Sequence, residues 1–237
     1  MRSLFFSMMF CVLLSSCAGL DDLIEQTTSP RPLTQEEIIN GLKQALEVSA
    51  ENAAVTASRE GAYLNSADLF IRFPEEASFV EKQLRDLGFG RLVDDFVVSL
   101  NRSAELAARE AAPIFINAVR NMTIREGLEI LQGEPNAATL YLRSNTEDDL
   151  IQAFTPVITS KLNETAATRY WSDLIGTYNQ IPLVRRVNPD LVGYATENAM
   201  DGLFLLVERE EAEIRRDPAK RVTDLLRRVF GSAEAQG

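Results

Sequence analysis

Residues 34–54 read TQEEIINGLKQALEVSAENAA. Thr34 and Glu37 form a capping box, in which each side chain satisfies a backbone donor that the first helical turn leaves orphaned. Ile39, Leu42, Leu46, Ala50 and Ala53 follow at helical spacing and define one apolar face. The far end of that face is alanine, which lets a second helix approach closely. The same grammar recurs along the chain, and no paired strands or hairpin turns interrupt it. The expected fold is therefore all-α: a single compact domain of about eight to ten helices over residues 34–231.

Working outward, Tyr63 to Phe73 is irregular, with a run from Leu69 to Phe73 that suits an extended conformation. Pro74 opens a helix to Leu87, which Gly88 closes at the C′ position. A helix from Leu92 to about Ala112 carries Asp94 and Asp95 in its first turn, and Pro113 must kink or restart it. Thr123 to Glu126 is a second capping box, and Gly133 ends that helix. A short helix is expected from Asn136 to Arg143, then another capped by Thr146 and kinked at Pro156. Ala166 to Asn179 reads as helix, Pro182 to Pro189 as loop, and Leu191 to Arg216 as a long helix. Asp217-Pro218 starts a last helix ending at Phe230-Gly231, before a disordered tail, residues 232–237.

The N-terminus is of a different kind. Arg2 precedes an apolar run, Leu4 to Leu14, of about eleven residues, well under the roughly twenty of a spanning helix. The run closes on Leu14-Ser15-Ser16-Cys17, a lipobox: a leucine, two small residues for the peptidase cleft, and a thiol for the thioether to lipid. Residues 1–16 are thus expected to be a signal peptide, with Cys17 the site of lipid attachment. The competing reading is an ordinary signal cut after Ala18. Residues 17–33, with Asp21, Asp22, Pro30 and Pro32, read as a flexible tether. In a Gram-negative source, Ala18 rather than aspartate after the cysteine favours an outer-membrane lipoprotein facing the periplasm. A single acyl chain holds a membrane weakly, whereas several hold it stably.

Composition narrows the chemistry. The chain has 24 basic and 35 acidic residues, no histidine and a net charge of −11. Such a domain does not attract nucleic acid or anionic lipid through its general field. Cys11 leaves with the signal and Cys17 is taken by lipid, so the mature domain is expected to hold no disulfide. Zinc, copper and haem lack their usual ligands, and no metal or cofactor is expected. The acidic clusters Glu75-Glu76, Asp94-Asp95, Glu147-Asp148-Asp149 and Glu210-Glu211 lack calcium-loop spacing. Without histidine, a serine or cysteine nucleophile has no imidazole base. A two-carboxylate hydrolase remains the least favoured alternative to a non-enzymatic domain.

Two polar positions stand out. Ala199 to Val207 is apolar on nearly every face, and Asp201 is its sole charge. Asn101-Arg102 interrupts the apolar stretch from Phe96 to Ala108. The expectation is that Arg102 and Asp201 pair in the core, fixing helix register or flooring a ligand pocket. Phe70, Phe73, Phe79, Phe89, Phe96, Phe115, Phe154, Trp171 and Phe204 fall at core spacings. The basic cluster Arg215, Arg216, Lys220, Arg221, Arg227 and Arg228 either docks an anionic partner or compensates Glu208 to Glu213, with Glu211 and Arg215 a favourable helix pair.

The chain resembles the uncharacterised bacterial family known as domain of unknown function 4197. The resemblance rests on Leu100-Asn101-Arg102-Ser103-Ala104-Glu105, Met122-Thr123, Ala137-Ala138-Thr139, Tyr178-Asn179, Asn188-Pro189-Asp190-Leu191 and Asp201-Gly202-Leu203-Phe204. The tail adds Ile214 to Pro218 and Arg221 to Leu226. It implies exported, helical, often lipidated proteins and carries no catalytic residues across. The function expected is a membrane-tethered lipoprotein whose helical domain binds a protein partner or serves envelope structure. The alternative is a carrier of a small hydrophobic ligand or lipid.

Overall fold

A computed structural model describes residues 33–164 and 170–216. The signal, tether, last expected helix and tail lie outside these residues. Among the described residues there are eight α-helices, two 3-10 turns and no strand. They are α1 (Gln35–Ala57), α2 (Ser78–Asp86), α3 (Gly90–Ala107), α4 (Ala111–Asn121), α5 (Ile124–Gln132), α6 (Ala137–Leu162), α7 (Trp171–Tyr178) and α8 (Leu191–Arg216).

The core forms where the long apolar faces meet. α1 packs on α8, α4 and α5; α6 packs on α8, α3 and α4; α3 also meets α8. The face expected from the first stretch is the one buried: Ile39, Leu42, Leu46, Ala50 and Ala53 are each at most 4 % exposed. Gly202 marks a second close approach. A Cβ there would sit 2.6 Å from a ring carbon of Tyr63, itself fully buried.

Gly88 takes φ +90°, the left-handed conformation expected at that helix end. The capping box at Thr123 is complete: its backbone N–H donates to Glu126 at 2.8 Å, and its hydroxyl accepts from the Glu126 N–H at 3.3 Å. Hydrogen bonding by Thr123 holds the Glu126 carboxyl below the usual carboxylate range.

Four boundaries differ from expectation. The helix expected to open at Pro74 starts as a 3-10 turn, Glu75–Ala77, and α2 proper begins at Ser78. α3 begins at Gly90, and its path breaks at the 3-10 turn Ala108–Glu110, ahead of Pro113. The proline ring clashes with the carbonyl four residues earlier, that of Arg109, so the strain falls inside this turn. Asn136 to Leu162 is not two helices: α6 runs unbroken for 26 residues. Thr146 lies inside it, buried, and donates its hydroxyl to the Leu142 carbonyl at 2.7 Å instead of capping a new start. Pro156 is tolerated because it is exposed, so water can reach the carbonyl its missing N–H leaves free. Among the aromatics, Phe79 and Phe89 are not core; they are 57 % and 52 % exposed.

Candidate functional site

The site is built on the loop between α1 and α2. From Leu69 to Phe73 burial alternates: Leu69, Ile71 and Phe73 point inward, Phe70 is half-buried and Arg72 is exposed. That period of two is strand-like, yet no strand pairs with it. Asn101 on α3 takes the place of a neighbouring strand. Its Oδ1 accepts from the Ile71 N–H at 2.8 Å and its Nδ2 donates to the Ile71 carbonyl at 2.8 Å. Both residues are buried, so this clasp removes two backbone groups that would otherwise be costly to bury. It also fixes the direction in which Phe70 and Arg72 project.

Four residues along the same helix, Glu105 anchors the start of the loop. Its Oε1 accepts from the backbone N–H groups of Tyr63 and Leu64, and its Oε2 accepts from Arg102 at 2.9 Å. Tyr63 in turn donates its hydroxyl to the Ala199 carbonyl of α8 at 2.6 Å. Burial, with the nearby charges of Glu105 and Asp201 adding to it, raises the Tyr63 hydroxyl pKa far above its ordinary value.

The expected pairing of Arg102 with Asp201 is not formed. Arg102 binds Glu105 and reaches Glu60 at 3.7 Å. Asp201 binds Arg143 at 2.6 Å, with its side chain 60 % exposed. The Arg143 guanidinium also lies 4.7 Å from the Phe204 ring centroid. An apolar helix does not reveal which of its faces stays uncovered, and Asp201 sits on that uncovered strip. The buried acid of α3 is Glu105, 1 % exposed, which lies in the same Phe96 to Ala108 stretch and carries no local mark of its burial. Glu211 was seen only as a helix partner of Arg215. That pair forms at 2.9 Å, but Glu211 is 4 % exposed and does more. It accepts from the Ala138 N–H, the Thr139 N–H and the Thr139 hydroxyl, capping α6 from another helix.

Above the loop lies an open groove of about 720 Å³. Leu64, Phe70 and Phe73 form its floor, Ser78, Glu81 and Arg85 of α2 one wall, and Asp94, Val97 and Val98 of α3 the other. Arg85 ties the walls together, donating to Glu81 and to Asp94, each at 2.9 Å. Phe73 packs beneath against Phe96 and Trp171, with ring centroids 4.9 and 5.5 Å away. A smaller hollow of about 370 Å³ flanks the far side of Phe70 and Arg72, lined by Glu75, Glu76, Tyr194 and Asn198. The Tyr194 hydroxyl donates to the Arg72 carbonyl at 3.1 Å. Burial, then the charges of Glu76 and Glu75, raise its pKa.

Among the described residues, no group of three or more His, Cys, Asp or Glu side chains is placed to hold a metal ion. No described helix is long and apolar enough to cross a membrane.

The molecule is an all-helical domain with a satisfied polar clasp beneath an open, apolar-floored groove. Its sequence matches the family described as "Protein of unknown function (DUF4197)" over residues 32–231, and the chain belongs to that family. No curated protein and no solved structure matches it.

Proposed function

We propose that this chain is an exported lipoprotein, held through lipid on Cys17 in the outer membrane and facing the periplasm, whose helical domain binds a protein partner. The groove between α2 and α3 is its binding face. The observation that carries this reading is the apolar surface gathered on one hairpin. Phe79, Leu87, Phe89, Leu92 and Val98 are 39–70 % exposed along α2, α3 and the loop between them, and Val98 lines a groove floored by Leu64, Phe70 and Phe73. Exposed apolar side chains next to an apolar-floored groove are a common mark of an interaction surface. Support for the anchor comes from the Leu14-Ser15-Ser16-Cys17 sequence.

A photo-crosslinking residue at Val98, in the native host, is expected to capture a discrete protein, while one at exposed Glu147 on α6 captures none. Equal capture at both positions defeats the reading. For the anchor, Cys17→Ser is expected to abolish labelling by fatty acid and release the chain from the membrane fraction.

A carrier of a small hydrophobic ligand is the second reading, because the groove has the volume of a ligand site. Its openness to solvent counts against it. A two-carboxylate hydrolase is weaker still, since Glu81 and Asp94 are both engaged by Arg85.

A further inference from the structure

We infer that the loop 180–186, between α7 and α8, docks the domain on an anionic phospholipid surface. Ile181 and Leu183 enter the acyl boundary, and Arg185 and Arg186 meet the headgroup phosphates. This surface is separate from the groove between α2 and α3. The inference builds on the Cys17 anchor, because a loop of this size is too small to hold a membrane unaided.

The base of the loop is fixed. Asn179, just after α7, accepts from the Val187 N–H at 2.9 Å and donates to the Val187 carbonyl at 2.8 Å. It closes the segment between them as Asn101 clasps Ile71. Val187 is buried, as are Trp171 and Ile175 on α7, so both ends of the loop are tied to the core.

What the base holds out is costly to the fold. Leu183 has φ +67°, and among the described residues it is the sole non-glycine with a positive φ. A branched side chain is disfavoured in that region, which glycine and asparagine usually occupy. Yet Leu183 is fully exposed and returns nothing to the fold through packing. Ile181 is 52 % exposed, and Pro182 between them is exposed too. Strain held at an apolar side chain that packs on nothing points to a contact made outside the chain.

Charge and size name the partner. Arg185 and Arg186 are exposed, and among the described residues neither forms an ion pair. Asp190, the nearest acid after them, is occupied at the start of α8, where it accepts from the Gly193 N–H at 2.8 Å. Asp173, the nearest before them, lies on α7 ahead of the clasp. The chain's net charge of −11 opposes an anionic surface at long range. That field is screened within about 8 Å at physiological salt, whereas the two arginines touch the headgroups. A specific protein interface engages roughly 20–30 residues a side. The tip of Ile181, Pro182 and Leu183 is far smaller and has no hydrogen-bonding side chain to set a register. A bilayer asks for neither: it takes apolar side chains below the headgroups and cations among them.

The test uses the chain as its host makes it, in vesicles of phosphatidylethanolamine and phosphatidylglycerol with brominated acyl chains. Trp171 is the only tryptophan and is 3 % exposed, so the parent chain is the background. In the Leu183→Trp variant the added emission is expected to shift to the blue and to be quenched, while the parent's is not. Each arginine contributes about fivefold to partitioning on an anionic surface. Adding Arg185→Gln and Arg186→Gln should therefore lower the quenched fraction about threefold or more, as should replacing phosphatidylglycerol with phosphatidylcholine. Circular dichroism checks that each variant keeps its helices. No quenching, equal quenching in a Glu147→Trp variant, or indifference to both arginines and headgroup charge each overturns the inference. A benzophenone at Leu183 in the host should crosslink to phospholipid, and capture of a protein in its place overturns the membrane assignment. If Cys17→Ser releases the chain but the Leu183→Trp variant is unquenched on vesicles, the loop inference fails while the anchor stands. If Cys17→Ser leaves the chain on the membrane and quenching persists, the anchor reading fails while the loop inference stands.

Discussion

At the junction of α6 and α8, Glu211 is buried and every oxygen is used: two backbone N–H groups, the Thr139 hydroxyl and the Arg215 guanidinium converge on it. At the α2–α3 hairpin, apolar side chains are left in water, with Leu87 70 % and Phe89 52 % exposed. α2 packs mainly on α3 and buries only Val80 of its nine residues. One region has closed its polar groups inside the fold. The other has left its apolar groups outside it. Stability should therefore concentrate in the first and recognition in the second, and substitutions can separate the two.

The largest loss is expected from Glu211→Ala. It strips the N-terminus of α6 of its acceptor, since Asn136 at the cap position makes no side-chain bond there, and it removes the buried carboxylate that Arg215 bonds at 2.9 Å. Breaking a buried pair of this kind costs about 3–5 kcal/mol, to be read from urea unfolding. A loss under about 1 kcal/mol would show that water replaces the cap.

Asn101→Ala comes next. It orphans the N–H and carbonyl of Ile71, which is 1 % exposed, and should cost about 2–4 kcal/mol. The loop from Leu69 to Phe73 should also exchange its amide hydrogens faster than α3 does. Unchanged exchange at Ile71 would mean that the clasp does not hold the loop.

Tyr63→Phe should be milder, about 1 kcal/mol, for the bond to the Ala199 carbonyl. Its signature lies in pH. The folded-state pKa is raised above the ordinary value of 10.0, so the Tyr63 contribution is fully present below pH 10 and declines as pH rises above it. The stability gap between wild type and variant should therefore narrow in alkali. A constant gap would exclude this linkage.

The smallest stability effect belongs to the hairpin. Leu87→Lys with Phe89→Ser should change stability by no more than about 0.5 kcal/mol, because both side chains are exposed. Both lie at the hairpin tip, so capture of a partner from Val98 should nevertheless fall. If stability drops instead, the hairpin belongs to the core.

Much of the fold was legible. The start of α8, the capping box at Thr123, the helix end at Gly88 and the buried face of α1 all follow from local signals. Capping and periodicity act within a few residues and need no tertiary information. The continuity of α6 was not legible, since Thr146 can cap a helix or bond back within one, and burial decides between them. Of the site, Asn101 and Arg102 were visible as polar residues in an apolar stretch. Their partners beyond α3 were not, because Ile71 and Glu60 lie on a loop whose path local sequence does not specify. Glu211 showed only its helix pairing with Arg215, and the burial of Glu105 and Glu211 gave no signal, for a carboxylate on a helix reads the same whether it faces water or another helix's first turn.

By itself, then, the sequence determined an all-α domain, most of its helix ends, its acidity and the lipobox expectation at Cys17. Only the tertiary structure decided which charges are buried, that Asp201 faces Arg143, and that an open groove lies over the Asn101 clasp. The physical reason is range. Helix formation depends on neighbours three and four residues away. The partners of Asn101, Glu105 and Glu211 lie 30, 42 and 73 residues off, and chain packing alone brings them together.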